Sequence, residues 1–196
     1  MTKGDLTRQR IVAEAAPIFN KRGFEGTSMS ELMSATGLQK GGIYRHFKNK
    51  EELAVASFEH AWNLAARQRW LEIDKKVSSV DQLKQFVANF MEKRAGLVAG
   101  GCPVLNTAVD ADDGNPALRE RARSALTLWI RRLSRTVRAG ITKGEIRQDA
   151  DPQQTAAVII SVLEGALMMS RLQGSEKPLE HARAHLNKFL ESLRAY

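Results

Sequence analysis

Four groups of side chains carry types and spacings that could do chemistry. The first is the run from Thr27 to Lys50. There Thr27, Ser28, Gln39, Lys40, Tyr44, His46 and Lys50 supply hydroxyls, an amide, an imidazole and cations around the pair Gly41-Gly42. Hydrogen-bond donors and cations beside bare backbone suit contact with phosphates and base edges. The second is His181 and His185, four apart and so on one helix face, a spacing that suits a metal. No glutamate in zinc-hydrolase register lies between them and no third ligand is evident, so a solvated or subunit-interface pair is the expectation and no metal is assigned. The third is the acidic loop Asp110, Asp112, Asp113, a candidate cation site that also reads as ordinary acids ahead of a helix N-terminus. The fourth is Cys102, between Gly100-Gly101 and Pro103; a redox sensor is conceivable there, and a buried inert thiol is expected. There is no nucleophile–base–acid set, no glycine-rich phosphate loop after a strand and no paired cysteine. Neither catalysis nor a cofactor is indicated.

These groups need a scaffold, and the composition supplies one. The chain has 196 residues, 43% of them apolar, enough for a substantial core. One cysteine excludes an intramolecular disulfide framework and fits a reducing compartment. Uninterrupted apolar runs fall short of the ~18–20 residues that span a bilayer, so no membrane span is expected. The opening MTKGDLTRQR has no apolar stretch behind its charges and does not read as a secretory signal. A cytoplasmic protein is therefore expected. Thirty Lys+Arg stand against 22 Asp+Glu, a formal charge of +8. Residues 1–50 hold nine basic and four acidic residues, so most of the imbalance sits in the first quarter. A basic segment leading a nearly balanced body points to nucleic-acid contact at one end.

Strand-like alternation is scarce, and the chain reads as all-α with about nine helices. A first helix is expected from about Leu6 to Arg22, with Ile11, Ala15, Ile18 and Phe19 inward and Gly23 ending it. Pro17 inside it removes one hydrogen bond and should kink or break it locally. Ser28 and Glu31 form a capping box for a short helix from Met29 to about Thr36. Gly37 breaks the chain, a second short helix runs from about Gln39 to Phe47, and Asn49 caps a long helix. Two short helices joined by a tight glycine turn make a helix-turn-helix pattern, with Leu32, Leu38, Ile43 and Phe47 as its core. Further helices are expected from about Val80 to Val98, with its end loosened by Gly96, Gly100 and Gly101. Others follow from Cys102-Pro103 to Val109, and from Pro116 to Lys143 with Asn115 as cap. The last two run from Asp151-Pro152 and from about Pro178 to Leu193.

The stretch from Gly26 to Leu53, with Phe19…Gly23-Phe24 ahead of it, Tyr44-Arg45-His46-Phe47 within it and Lys50-Glu51-Glu52-Leu53 closing it, resembles the DNA-binding domain of the tetracycline-repressor-like (TetR/AcrR) regulators. The match covers roughly residues 6–55; the remainder is similar only in helical layout and length. Pro17 departs from the pattern. The resemblance implies a helix-turn-helix domain over 1–50 and a ligand-binding and dimerisation domain over 51–196. On it, Gln39 and Lys40 reach base edges, while Gly41 and Gly42 allow close approach to the major groove. Tyr44 and His46 then serve phosphates, as do Lys50, Thr27 and Ser28 at helix starts.

In the body, Phe58, Trp62, Phe90, Trp129, Met168 and Met169 could line a cavity, with Asn106, Asp110 and Glu164 as polar anchors. Aromatics and methionines at helical spacing are also ordinary core, and the resemblance is what favours a ligand site. Between Ala156 and Met169 only Ser161 and Glu164 are polar, so both faces of that helix need cover. A dimer surface of Ile159, Val162, Ala166, Ala182, Leu186, Phe189 and Leu193 is expected, a buried central helix being the alternative. The function expected is a homodimeric, small-molecule-responsive repressor on a near-palindromic double-stranded DNA operator, without a membrane partner. An architectural or nonspecific DNA-binding dimer is the alternative reading.

Overall fold

The computed structural model describes residues 2–92, 98–112 and 114–195. Among them are nine α-helices, one 3₁₀ turn and no strand; one isolated antiparallel bridge joins Ile146 to Arg194. The expected Gly96 and Asp113 roles fall outside the described residues. The chain divides into two compact units. One comprises residues 1–66 and 95–125, the other 67–94 and 126–196.

In the first unit α1 spans Lys3–Arg22 and starts earlier than periodicity suggests, because Thr2 and Asp5 form a capping box. It continues through Pro17 without a break. The carbonyl that Pro17 leaves unpaired belongs to Ala13, which is exposed, so water can take the missing hydrogen bond. Helix α2 (Met29–Thr36) carries the Ser28–Glu31 capping box, and Gly37 leaves it in the left-handed region at φ 65°. Helix α3 is only Lys40–Tyr44, shorter than the Gln39–Phe47 expectation; Arg45 and His46 form the turn beyond it. Helix α4 (Lys50–Arg69) begins where the Asn49 side chain accepts from the Glu52 amide at 2.8 Å. Ile11, Val12, Ala15, Leu32, Ile43, Phe47 and Leu53 interlock in one core, with Leu38 partly buried against it. Burying each of the larger ones contributes about 1.5–3 kcal/mol, which is what holds so short a helix as α3 in place. Helix α6 (Pro103–Asp110) and the start of α7 (Pro116–Thr142, capped by Asn115) belong to the same unit.

The second unit holds the 3₁₀ turn Ile73–Lys75, α5 (Ser79–Met91), the rest of α7, α8 (Pro152–Gln173) and α9 (Lys177–Glu191). Asp151 caps α8 through two backbone amides, at 2.7 and 3.0 Å. Helices α8 and α9 close on Ala166, Leu179 and Ala182, with Met91, Val162 and Leu167 beside them. The C-terminus is tied in by charge. Arg194 and Lys84 both bind the Glu191 carboxylate, holding its pKa down to about 2, and Arg194 reaches Asp81 at 2.9 Å. By length and composition α8 could cross a membrane, a property that counting uninterrupted apolar runs did not register. Its inner face is nevertheless taken up by the packing just described.

That packing corrects the expected dimer surface. Ile159, Ala166, Ala182, Leu186 and Leu193 are buried by their own chain, and Val162 and Phe189 are half-buried. The outward stripe of α8 is Ala157, Ser161, Gly165, Met168 and Leu172 instead. Apolar content showed that both faces need cover, but periodicity alone does not say which face turns inward.

Candidate nucleic-acid interface

The local geometry from Arg22 to Lys50 follows from its capping chemistry. The Ser28 hydroxyl accepts from the Glu31 amide at 3.3 Å, and the Glu31 carboxylate accepts from the Ser28 amide at 3.0 Å. The backbone and hydroxyl of Ser28 hold the Glu31 carboxyl below its usual pKa, with Arg22 at 2.9 Å adding attraction. Ser28 stays exposed. Thr27 does not: it is 1% exposed, its hydroxyl donates to the Gly23 carbonyl at 2.7 Å and its amide is shared with Phe24. This corrects the expectation that Thr27 offers a phosphate contact, since its donors are spent inside the fold.

On α3 the residue types sort by face. Ile43 is fully buried and anchors the helix, while Gln39, Lys40 and Gly41 are exposed. Gln39 stands at the N-cap position without a side-chain capping bond, leaving its amide available. A methyl at Gly41 would meet nothing within 4 Å, whereas one at Gly42 would touch Leu38 at ordinary distance. Gly41 is therefore bare backbone facing open space. Tyr44 and His46 are half-buried, with the Lys40 ammonium 5.9 Å from the Tyr44 ring centre. The Lys50 ammonium rests 4.4 Å over Phe24, itself stacked on Phe19, so its charge is held at the start of α4.

Six of the nine basic residues in positions 1–50 fall into two sets, with Lys3, Lys21 and Lys50 in neither. Arg8, Arg10 and Arg22 face Glu52, Glu14 and Glu31 at 3.6, 3.4 and 2.9 Å. Lys40, Arg45 and Lys48 are exposed and, among the described residues, make no ion pair. Arg45 and Lys48 were not singled out by sequence reasoning, although their unbalanced charge beside Tyr44 and His46 was the available signal. Cations without internal partners are the ones free to replace counterions on a phosphate backbone.

Helix α6 supports the end of α1. Asp110 accepts from the Phe24 amide at 2.7 Å. Gly23 has φ 73°, and any Cβ there would fall 2.0 Å from an Asp110 oxygen. The Asn106 amide donates to the Asn20 carbonyl at 2.8 Å and the Gly100 carbonyl at 2.9 Å, while Asn20 reaches Ala99 and Gly101 at 3.1 and 3.2 Å. Asn106 and Asp110, expected as polar anchors for a ligand, are thus clamps on the α1 terminus. Cys102 is buried at the start of α6.

The other expected ligand residues are divided between the two units. Phe58 is buried and Trp62 half-buried in the first unit. Phe90, Trp129, Glu164 and Met168 belong to the second, where Phe90 and Trp129 meet edge to face at 6.3 Å. Met168 and Met169 are 48% and 46% exposed and line no interior. Arg69, which sequence reasoning passed over, lies against both aromatic rings. His181 and His185 are both exposed on α9.

Residues 11–56 match the family model described as "Bacterial regulatory proteins, tetR family", and residues 79–186 match "Tetracyclin repressor-like, C-terminal domain". A TetR transcriptional regulator from Chloroflexus aurantiacus J-10-FL is 42% identical over the whole of both chains, with a TM-score of 0.95. A TetR-family regulator from Cytophaga hutchinsonii is 31% identical, covering 100% of this chain and 98% of that one, with a TM-score of 0.93. The HTH-type transcriptional repressor NemR of Escherichia coli K12 is 27% identical over 94% of each chain.

Proposed function

Because the chain belongs to the TetR family of bacterial transcriptional regulators, we propose that it is a repressor which binds a near-palindromic operator as a homodimer and lets go when a small molecule binds. Residues 1–50 serve as the DNA-binding segment and residues 51–196 as the effector and dimerisation part. In each protomer α3 enters a major groove. Gln39 and Lys40 read base edges there, glutamine favouring adenine and lysine guanine, with Gly41 and Gly42 allowing the approach. Ser28, Tyr44, His46 and Lys50 contact phosphates, joined by Arg45 and Lys48.

The observation that carries this reading is the pairing pattern of the basic residues: among the described residues Lys40, Arg45 and Lys48, on and after α3, make no ion pair, whereas Arg8, Arg10 and Arg22 each face a carboxylate. The outward stripe of α8, small at Ala157, Ser161 and Gly165 and apolar at Met168 and Leu172, supports close contact with a second copy. Such a regulator works in the cytoplasm on double-stranded DNA and needs no cofactor. Gel retardation with fragments flanking its own gene tests the reading. Binding to one fragment at least ~1000-fold tighter than to random duplex at physiological salt is expected. Equal affinity for every duplex would favour an architectural DNA-binding dimer instead.

A further inference from the structure

Arg69 ends α4 and is 8% exposed. A guanidinium keeps its charge inside proteins, and burying one is costly unless other groups replace its hydration. Two aromatic rings do part of this. Its central carbon lies 4.3 Å from the Phe90 ring centre and 4.4 Å from that of Trp129. The ring centres are 6.3 Å apart with planes at 66°, so they form a corner of roughly a right angle about the guanidinium rather than a sandwich. Aromatic faces attract the cation but offer its N–H groups no oxygen lone pair. Nη1 is buried without a hydrogen-bond partner. The nearest acids in sequence are engaged elsewhere, Glu72 by Lys75 and Asp74 by Arg132.

The corner is also held in place. Asn89, 3% exposed, donates to the carbonyls of Arg69 at 3.1 Å and Leu71 at 2.7 Å, and its own oxygen accepts from Gln85 at 2.9 Å. Trp129 is 1% exposed, while Phe90 is only half-buried and so partly open to solvent. A fixed, buried, incompletely hydrogen-bonded guanidinium is a receptor for a planar two-oxygen anion.

We propose that Arg69 anchors an anionic effector: a small organic carboxylate that completes the guanidinium's hydrogen bonding and lays its apolar body along Phe90. This rests on the effector-responsive reading above and narrows it to a ligand class. A cationic effector is disfavoured by the same geometry, because Arg69 itself occupies the aromatic corner.

The test is thermal unfolding and tryptophan fluorescence of the full-length protein with benzoate, 4-phenylbutyrate and decanoate, each beside its own primary amide and primary amine. At least one acid should raise the melting temperature and bind at least ~tenfold more tightly than its amide. Arg69→Gln should abolish the acid's advantage over its amide, and Arg69→Lys should fall between. Acids binding no better than amides, amines binding best, or no acid binding at all would overturn the proposal. If Arg69→Gln does not fold, the wild-type acid–amide comparison decides alone. Operator retardation run alongside separates the two ideas. An acid bound through Arg69 that leaves the operator complex intact removes the release mechanism and keeps the anion site. An amide or amine that binds best and releases DNA removes the anion site and keeps the release mechanism.

Discussion

Replacing Arg45 by glutamine separates phosphate contacts from everything else in the proposed interface. Arg45 is exposed at the end of α3 and makes no ion pair among the described residues. A homodimer presents it twice, so the substitution removes two phosphate contacts. Each contact contributes about 0.9 to the slope of log K against log salt, so the slope should flatten by ~1.8. Between 50 and 200 mM salt the wild type should then lose roughly twelvefold more affinity than the variant. Fluorescence anisotropy of an end-labelled operator over that range gives both slopes directly. Arg10→Gln is the internal control: Arg10 already faces Glu14 at 3.4 Å and donates to the Thr36 carbonyl at 3.1 Å, so its slope should stay within about half a unit of wild type. Equal flattening by the two variants, or none by Arg45→Gln, would refute the division of cations by their internal pairing.

Asp110→Ala removes the acceptor of the Phe24 amide and should cost about 1–2 kcal/mol. Asp110→Asn, which keeps an oxygen, should recover part of that in denaturant titration. Ser161→Arg, on the exposed stripe of α8, should yield a folded protein of monomer mass by sedimentation with operator binding reduced by orders of magnitude; a stable dimer would place the contact elsewhere. Glu191→Gln should lower the melting temperature at neutral pH. The Glu191 pKa is depressed in the folded protein, from 4.5 to about 2, so its stabilising effect is complete above the higher value and lost as pH falls through the lower. The gap between variant and wild type should close across that window.

The features legible in the sequence are those whose physics is local. The Ser28–Glu31 box, the Asn49 and Asn115 caps and the break at Gly37 each depend on residues a few positions apart, and each stands where the residue types placed it. Pro17 misled because the effect of a lost hydrogen bond depends on whether the abandoned carbonyl meets water, which is a tertiary fact. Asn106 and Asp110 misled for a related reason. Their partners, Asn20 and Phe24, lie 86 residues away, and a polar side chain on a helix gives no sign of which distant backbone it will bind. Thr27 sits next to a true capping serine, yet one residue of register carries its hydroxyl into the interior.

Gly41 has an implication for any effort to improve this protein. Nothing crowds it, and its backbone does not require glycine, so an alanine there would fit without strain and gain about 0.5–1 kcal/mol of helix stability. A screen that rewards heat resistance or expression alone would therefore favour Gly41→Ala. Yet the methyl group would stand out from the surface that the proposed mode of binding presses against base pairs. If α3 is read as proposed, folding and recognition make opposite demands at this position. On the proposed mode of binding, robust variants should therefore be sought by changing residues remote from α3.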